Sequence, residues 1–134
     1  MKKQVLIADA DEQFRNELVA ALKDSEEFEV IGVATDGEEA LKMLETEEID
    51  ILVMDLLLSQ YDGLTILESI QTINRRPRVL VATSFISNYV AYSVARFGVR
   101  QLIHKPCGVD VIIKALHRML VNINGRLVVF RWNG

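Results

Sequence analysis

The chain has 134 residues, of which 50% are hydrophobic and 25% are charged, as expected for one soluble globular domain. The net charge of −4 conceals a division, because residues 1–68 hold 18 acids and 5 bases whereas residues 69–134 hold 1 acid and 10 bases. The acidic half argues against polyanion binding there. The single cysteine, Cys107, excludes an internal disulfide and a four-thiolate metal site. Neither a signal-peptide core nor a membrane span of ~18 apolar residues occurs, so we expect a cytoplasmic protein.

Short apolar runs alternate with amphipathic segments along the chain. The runs lack the polar alternation of half-exposed strands, which is typical of parallel strands buried on both faces. Helix boundaries follow from Asp36 with Glu39 as a capping signal, from Pro77 after the third amphipathic segment and from Gly98 after the fourth. The predicted strands are, in order, Val5–Ala8, Phe28–Ala34, Ile51–Met54, Val79–Ala82 and Gln101–Ile103. The apolar positions at helical spacing include Phe14 and Leu18, Ala40 and Leu44, Leu64 and Leu67, Val90 and Val94, and Ile112 and Leu116.

Five repetitions of strand and helix predict an α/β domain with a doubly wound, five-stranded parallel sheet and five helices. We assign residues 1–123 to this domain, since they contain no repeat or Pro/Gly-rich linker. Residues 124–134 form a C-terminal tail, in which Arg126–Trp132 is typical of one extra strand or of the start of a linker. The sequence indicates no partner for that strand, which pairs with a second chain or packs on its own domain.

Polar side chains follow four of the predicted strands, at the edge where a doubly wound sheet has its crevice. Asp9 and Asp11 follow the first strand, Asp55 the third, Thr83 the fourth and Lys105 the fifth. Each has a structural alternative: an aspartate caps a helix or forms a turn, a threonine is common in strands, and a lysine before proline is usually solvated. Their convergence on one edge favours a functional site.

Carboxylates at this edge would repel a phosphate unless a divalent cation neutralised them. Mg²⁺ binds one or two carboxylates together with a phosphoryl group and waters. Asp55 would then act as a nucleophile towards phosphorus and form an aspartyl phosphate. Lys105 would contribute a positive charge and Thr83 a hydroxyl donor to the phosphoryl oxygens.

The motifs that contain these residues resemble the receiver domain of bacterial two-component response regulators. The resemblance covers about residues 3–122, and residues 29–37 are most similar to receivers of the sporulation transcription regulator type. The motifs are Val-Leu-Ile-Ala-Asp at 5–9, Val-Met-Asp at 53–55, Asp62-Gly63, Ala-Thr-Ser at 82–84 and Ile-His-Lys-Pro at 103–106.

The resemblance implies a flavodoxin-like fold with strand order 2-1-3-4-5 and a signalling domain rather than an enzyme, capable at most of self-catalysed phosphotransfer and dephosphorylation. Asp55 would accept a phosphoryl group from a histidine kinase or phosphotransfer protein, Thr83 would be the switch hydroxyl and Lys105 the phosphate-contacting lysine. Mg²⁺ would be bound by Asp9, Asp11 and Asp55 with the backbone carbonyl of Leu57. The Lys105–Pro106 bond is often cis in the family.

Four residues depart from the family pattern. Ala10 stands where a second acid is commonly the direct metal ligand, so Asp11 would have to supply it after a loop shift. Ser59 replaces a frequent proline, and Ser84 a small alanine or glycine. Leu102 replaces the usual aromatic switch residue, so a ring flip coupled to the hydroxyl is excluded. These departures define an alternative: a pseudo-receiver that acts as a phosphorylation-independent protein-interaction module.

Enzyme functions fit the sequence less well. A haloacid dehalogenase-type phosphatase needs an acid two residues after its nucleophile, where this chain has Leu57. A flavin site needs a hydroxyl- and glycine-rich phosphate loop where Asp9, Asp11 and Glu12 would repel a phosphate. His104 and Cys107 are too few ligands for a zinc site and indicate packing instead.

The basic half also offers a surface for partners. Arg96, Arg100, Lys114 and Arg118 are predicted near the fourth helix, fifth strand and last helix, a face through which receivers commonly dimerise or contact effectors. The alternative for each residue is an ordinary solvated helix face. A homodimer through this face or through the 126–132 strand is one expectation. Direct DNA binding by this chain is not expected, since no helix-turn-helix pattern or aromatic platform is present.

Overall fold

The computed structural model describes residues 1–121 in full and the backbone of residues 128–130. These described residues form six strands and five helices in regular alternation. The strands are β1 (Lys3–Ala8), β2 (Phe28–Ala34), β3 (Ile51–Met54), β4 (Arg78–Thr83), β5 (Gln101–His104) and β6 (Val128–Phe130). The helices are α1 (Glu12–Leu22), α2 (Gly37–Thr46), α3 (Gly63–Ile70), α4 (Asn88–Arg96) and α5 (Val109–Arg118).

The six strands form one parallel sheet in the order β2-β1-β3-β4-β5-β6. The order of the first five strands confirms the doubly wound, flavodoxin-like prediction. The strands of the centre are apolar throughout because helices cover both faces of the sheet, as the unbroken burial of Ile51–Met54 shows.

The core lies in two layers, one on each face of the sheet. Helices α1 and α5 cover one face, where Phe14, Leu18 and Leu116 pack against β1, β3 and β5. Helices α2, α3 and α4 cover the other face, where residues such as Ala40, Leu67 and Val94 are buried. This arrangement brings the ends of β1, β3, β4 and β5 side by side.

Helices α1 to α4 begin where short polar side chains accept hydrogen bonds from the first free amide groups, whereas α5 begins at Gly108 without such a cap. Asp36, Asp62 and Ser87 cap α2, α3 and α4 in this way, which confirms the capping signal predicted at Asp36. Helix α4 ends before Gly98, which has φ of +90°, a conformation that favours glycine.

The extra strand predicted in the tail pairs in parallel with β5 of its own chain, with Val128 beside Gln101 and Phe130 beside Ile103. Residues 126, 127, 131 and 132 of the predicted strand lie outside the described residues, as does the boundary at 123. Strand β6 continues the sheet in the direction of β4 and β5, but its connecting helix α5 lies on the opposite face from α4.

Candidate functional site

Three of the predicted site residues meet at the carboxyl edge of the sheet. Asp9 follows β1, Asp55 follows the adjacent β3, and Lys105 follows β5. Asp9 is 2% exposed and Asp55 is 8% exposed, so both carboxylates are largely removed from water. The Lys105–Pro106 peptide bond is cis, as the resemblance implies.

The ammonium group of Lys105 joins the two carboxylates. Its Nζ lies 2.5 Å from Oδ2 of Asp9 and 3.0 Å from Oδ2 of Asp55. It also lies 4.1 Å from the centroid of the Phe14 ring, within the range of a cation–π interaction. Phe14 is predicted from sequence only as a core residue of α1. Its contact with the lysine follows from packing between α1 and the end of β5.

Backbone amides bind the second oxygen of each carboxylate. The amide of Asp11 donates to Oδ1 of Asp9 at 2.9 Å, and the amide of Leu57 donates to Oδ1 of Asp55 at 3.0 Å. Each buried carboxylate therefore has one oxygen bound by a backbone N–H and the other by the lysine. This arrangement satisfies the charges and fixes the orientation of both carboxylates.

Burial and the neighbouring charges shift the pKa values of Asp9 and Lys105 in opposite directions. Burial raises the pKa of Asp9 above its ordinary value, and the hydrogen bond from Lys105 only partly offsets it. Burial alone would lower the pKa of Lys105, but the hydrogen bond to Asp9 and the charges of Asp9 and Asp55 raise it overall. The lysine is therefore fully charged at neutral pH.

Thr83 is fully buried at the end of β4, directly beside these groups in the sheet. Its carbonyl accepts a hydrogen bond from the amide of Lys105 at 2.9 Å, and its Oγ1 accepts one from the amide of Phe85 at 3.3 Å. The hydroxyl thus connects the end of β4 with the loop that leads into α4, where the Phe85 side chain is exposed.

Asp11 has a different role from Asp9 in the structure. Its Oδ1 accepts hydrogen bonds from the amides of Gln13 and Phe14, so it is the N-cap of α1. This is the structural alternative that its position after β1 suggested. A role in metal binding would fall to its second carboxylate oxygen, since Ala10 supplies none.

No three His, Cys, Asp or Glu side chains are grouped closely enough to hold a metal ion within residues 1–121 and 128–130. Two carboxylates that share one lysine nevertheless fit Mg²⁺, which commonly takes one or two protein carboxylates and completes its shell with water and phosphoryl oxygens. The Leu57 carbonyl belongs to the residue whose amide binds Asp55, so it lies in the same loop.

A shallow cavity of about 540 Å³ opens at this site. Asp9, Asp11, Asp55 and Lys105 line it together, whereas Thr83 lies beneath the surface. Ser84 also lines the cavity and provides a hydroxyl that the sequence indicated only as a mild departure. The further lining residues are Ala10, Gln13, Phe14, Glu17, Pro106 and Cys107.

The loop that carries Asp55 is held by a close backbone contact. A Cβ atom at Gly63 would lie 2.6 Å from Cα of Leu56, too close for any side chain. The amide of Gly63 also donates to the carbonyl of Leu56 at 2.9 Å. From the sequence Gly63 is known only as part of the Asp62-Gly63 motif, because contact between α3 and this loop exists only in the fold.

The remaining predicted residues lie around the site or away from it. Leu102 is fully buried in the layer of α3 and α4, so the aromatic position of the family pattern is filled by core packing. The carbonyl of Ser59 accepts hydrogen bonds from the amides of Gly37 and Tyr61. Burial raises the pKa of the Cys107 thiol, which favours a neutral packing role.

Arg96 and Lys114 are exposed on α4 and α5, which cover opposite faces of the sheet, and Arg100 is partly buried beside β5. Arg96 lies 5.8 Å from the ring of the exposed Tyr92. Strand β6 runs along the β5 edge of the sheet that separates the two helices. The basic residues predicted as one face therefore flank an added strand.

Among the described residues, no helix combines the length and apolar character needed to cross a membrane.

A comparison with known protein families agrees with the observed fold. Residues 5–117 match the response regulator receiver domain. The chain belongs to the response regulator receiver family. This family is a class of two-component signalling domains rather than of classical enzymes.

Solved receiver structures share the fold. The chain is similar to the receiver domain of the response regulator NarL from Mycobacterium tuberculosis, with 24% identity, TM-score 0.80 and coverage of 88% of this chain and 95% of that one. It is similar to the receiver domain of RcsB from Salmonella enterica serovar Typhimurium, solved with phosphomimetic BeF₃⁻, with 20% identity, TM-score 0.81 and coverage of 96% and 94%. A CheY-like receiver from Methanospirillum hungatei has 21% identity, TM-score 0.79 and coverage of 90% and 94%.

Proposed function

We propose that this receiver accepts a phosphoryl group on Asp55 from the phosphohistidine of a histidine kinase or phosphotransfer protein. The observation that carries the proposal is the pair of buried carboxylates, Asp9 and Asp55, joined by Lys105 at the carboxyl edge of the sheet. A structural ion pair needs neither two carboxylates nor an opening to solvent. Here both carboxylates line a cavity wide enough for a phosphoryl group.

In the proposed transfer, a carboxylate oxygen of Asp55 forms a bond to phosphorus as the bond from phosphorus to the donor's imidazole nitrogen breaks. The electron pair of that bond returns to the imidazole, which takes up a proton. Lys105 keeps its proton and places its positive charge beside the phosphoryl oxygens. The backbone amide of Leu57 holds the other oxygen of Asp55 in place.

Asp9 and Asp55 are the carboxylates we propose for Mg²⁺, with the Leu57 carbonyl as a third ligand and the second oxygen of Asp11 as a further one. The metal would neutralise the two acids and the incoming phosphoryl group. Binding would also compete with Lys105 for Asp9, whose Oδ2 the lysine contacts at 2.5 Å. Because Oδ1 of Asp11 caps α1, only its second oxygen would be available to the metal.

We infer that the response to phosphorylation passes through Thr83 and the β4–α4 loop. The Thr83 hydroxyl would turn from the amide of Phe85 towards the phosphoryl group, which releases that amide. Leu102 replaces the aromatic switch residue. The aromatic side chain that would respond to a movement of Thr83 is therefore Phe85, which follows Thr83 by two residues and is exposed. The output partner would then meet this loop or α4.

The experiment is intact-protein mass spectrometry after treatment with a small phosphodonor such as acetyl phosphate and Mg²⁺. We expect one phosphoryl adduct in the unmodified protein, none after Asp55→Asn and none when a chelator removes Mg²⁺. Asp62→Asn is the matched control, since Asp62 caps α3 and does not line the cavity. An adduct that survives Asp55→Asn, or no adduct in any sample, would overturn the proposal.

A specific observation favours the second candidate, a phosphorylation-independent interaction module. Ala10 supplies no carboxylate where the family pattern has one, and Oδ1 of Asp11 is occupied by the amides at the start of α1. Absence of the adduct together with an intact fold by circular dichroism would support this candidate.

The finer features of the function remain proposals. We propose a cytoplasmic receiver that controls a protein partner or a transcriptional effector and does not itself bind DNA. Homodimerisation would use the face flanked by Arg96, Arg100, Lys114 and Arg118 or the 126–132 strand. The similarity of residues 29–37 to the sporulation regulator type stays a prediction, because the family match establishes the receiver class without a subtype.

A further inference from the structure

Phe14 places an aromatic ring inside the site, in contact with its one positive charge. The side chain is 7% exposed, packs in the core layer of α1 and α5, and lines the same cavity as Asp9, Asp55 and Lys105. The ammonium group of Lys105 lies 4.1 Å from the centroid of the ring. At this distance the face of an aromatic ring attracts a positive charge.

The ring is the third contact that the described residues provide for a largely buried ammonium group. Such a group has three N–H donors. Lys105 donates to Asp9 at 2.5 Å and to Asp55 at 3.0 Å, and its side chain is only 13% exposed. Because little water reaches the ammonium group, the attraction to the ring is weakly screened.

A closed series of contacts fixes the ring in place. The amide of Asp11 donates to Oδ1 of Asp9, and Oδ1 of Asp11 accepts from the amide of Phe14 at 3.3 Å. The ring of Phe14 contacts Lys105, which donates to Oδ2 of Asp9. By capping α1, Asp11 therefore fixes the helical turn that carries Phe14 against the lysine.

The ring differs from the two carboxylates because the proposed phosphorylation would not change it. Mg²⁺ would compete with Lys105 for Asp9, and the phosphoryl group would take one oxygen of Asp55. A hydrocarbon ring neither ligates Mg²⁺, which binds oxygen ligands, nor forms a bond to phosphorus. Phe14 would therefore still contact the ammonium group while both carboxylates exchange their partners.

We propose that Phe14 is a positioning residue for Lys105, whose ammonium group its ring holds beside the phosphoryl oxygens during transfer to Asp55. This inference rests on the proposed function and adds that an aromatic side chain is needed at this position of α1. The face of an aromatic ring carries partial negative charge, which an aliphatic side chain lacks.

The test is the rate of Asp55 phosphorylation by acetyl phosphate and Mg²⁺, followed by intact-protein mass spectrometry in variants that are folded by circular dichroism. We expect Phe14→Leu to slow the reaction about fivefold to thirtyfold, the effect of losing a cation–π interaction shielded from water. Phe14→Tyr keeps the ring and should restore the rate of the unmodified protein. Leu18→Val is the matched control, since Leu18 lies in the same core layer of α1 outside the cavity lining and should leave the rate unchanged.

The outcomes separate this inference from the proposed function. An adduct that forms equally fast in the unmodified protein and in Phe14→Leu, or equally slowly in Phe14→Leu and Phe14→Tyr, would overturn the positioning role alone. Absence of an adduct in the unmodified protein would overturn the proposed phosphorylation and the positioning role together.

A double-mutant cycle shows whether Phe14 acts through Lys105. Phe14→Leu should slow phosphorylation in the unmodified background but change the rate little when Lys105→Met is also present. The same fold-decrease in both backgrounds would refute an action through the lysine. If Lys105→Met does not fold, the comparison of Phe14→Leu with Phe14→Tyr still decides.

Nuclear magnetic resonance in buffer without divalent cations tests the contact independently of activity. The ring current of Phe14 should shift the ε-methylene protons of Lys105 upfield in the unmodified protein and in Phe14→Tyr, and Phe14→Leu should return them to the ordinary lysine position. An ordinary position in the unmodified protein would contradict the contact on which the inference is built.

Discussion

Replacement of Lys105 by methionine tests the electrostatic description of the phosphorylation site. The lysine lies between two carboxylates whose side chains are 3% and 11% exposed, and its own side chain is 13% exposed. Methionine keeps much of the aliphatic volume beside Phe14 but removes the positive charge. Asp9 and Asp55 are then buried together without a cation.

Removal of one partner from a buried ion pair costs about 3–5 kcal/mol of folding free energy. We expect the upper part of this range at neutral pH, because one ammonium group serves both carboxylates. For a domain of this size, the corresponding decrease in melting temperature is roughly 10–20 °C. Lys114→Met, on the exposed face of α5, is the matched control and should change stability by less than about 0.5 kcal/mol.

The loss should depend on pH with a definite sign. Burial already raises the pKa of Asp9 in the folded protein, and loss of the lysine raises it further. The folded variant then binds a proton more tightly than the unfolded chain, so protonation restores stability as the pH falls from 7 towards the ordinary aspartate value of 3.8. In the unmodified protein, the raised pKa of Lys105 contributes stability below pH 10.5 that is lost at higher pH.

The assay is urea denaturation of both variants and the unmodified protein at pH 5 and pH 8, followed by circular dichroism in buffer without divalent cations. We expect a larger deficit for Lys105→Met at pH 8 than at pH 5. A deficit below about 1 kcal/mol, or an equal deficit at both pH values, would refute the argument that the lysine compensates two buried charges.

Two further substitutions test the burial and the close packing of single residues. Gln101→Leu replaces a buried amide that has no hydrogen-bond partner among the described residues by an apolar side chain of similar size. We therefore expect the variant to gain about 1 kcal/mol or more in urea denaturation, and a loss of stability would contradict the burial of an unsatisfied amide. Gly63→Ala places a Cβ atom 2.6 Å from Cα of Leu56 and should destabilise the fold by roughly 1–3 kcal/mol in the same assay. Gly98→Asn is the control: Gly98 has φ of +90° and open space around it, so this substitution should reduce the free energy of unfolding by less than Gly63→Ala does.

The placement of Asp55 and Lys105 shows what can be predicted from sequence. Asp55 and Lys105 are predictable because each follows an apolar run, and the ends of parallel strands meet at one edge of the sheet. The different roles of Asp9 and Asp11 are not predictable in this way. Both follow β1, and only the direction of α1 decides that Asp11 accepts hydrogen bonds from the helix amides while Asp9 contacts Lys105.

The tail shows the opposite case. Its β-branched and aromatic residues predict a strand, but strand propensity is local and does not specify a neighbour. The pairing of β6 with β5 depends on an edge that was still open after five strands had been placed.

The sequence by itself determined the class of fold, the order of the elements and the residues at the carboxyl edge, because apolar periodicity and strand-end position are properties of neighbouring residues. It also indicated the basic character of the second half. Only the tertiary structure decided which charges meet. Lys105 is 96 residues from Asp9 in the chain and contacts it. Arg76, Arg100 and Gln101 line one cavity only because the ends of α3 and α4 lie beside the start of β5. Contacts of this kind depend on the direction and packing of whole elements, which no local pattern contains.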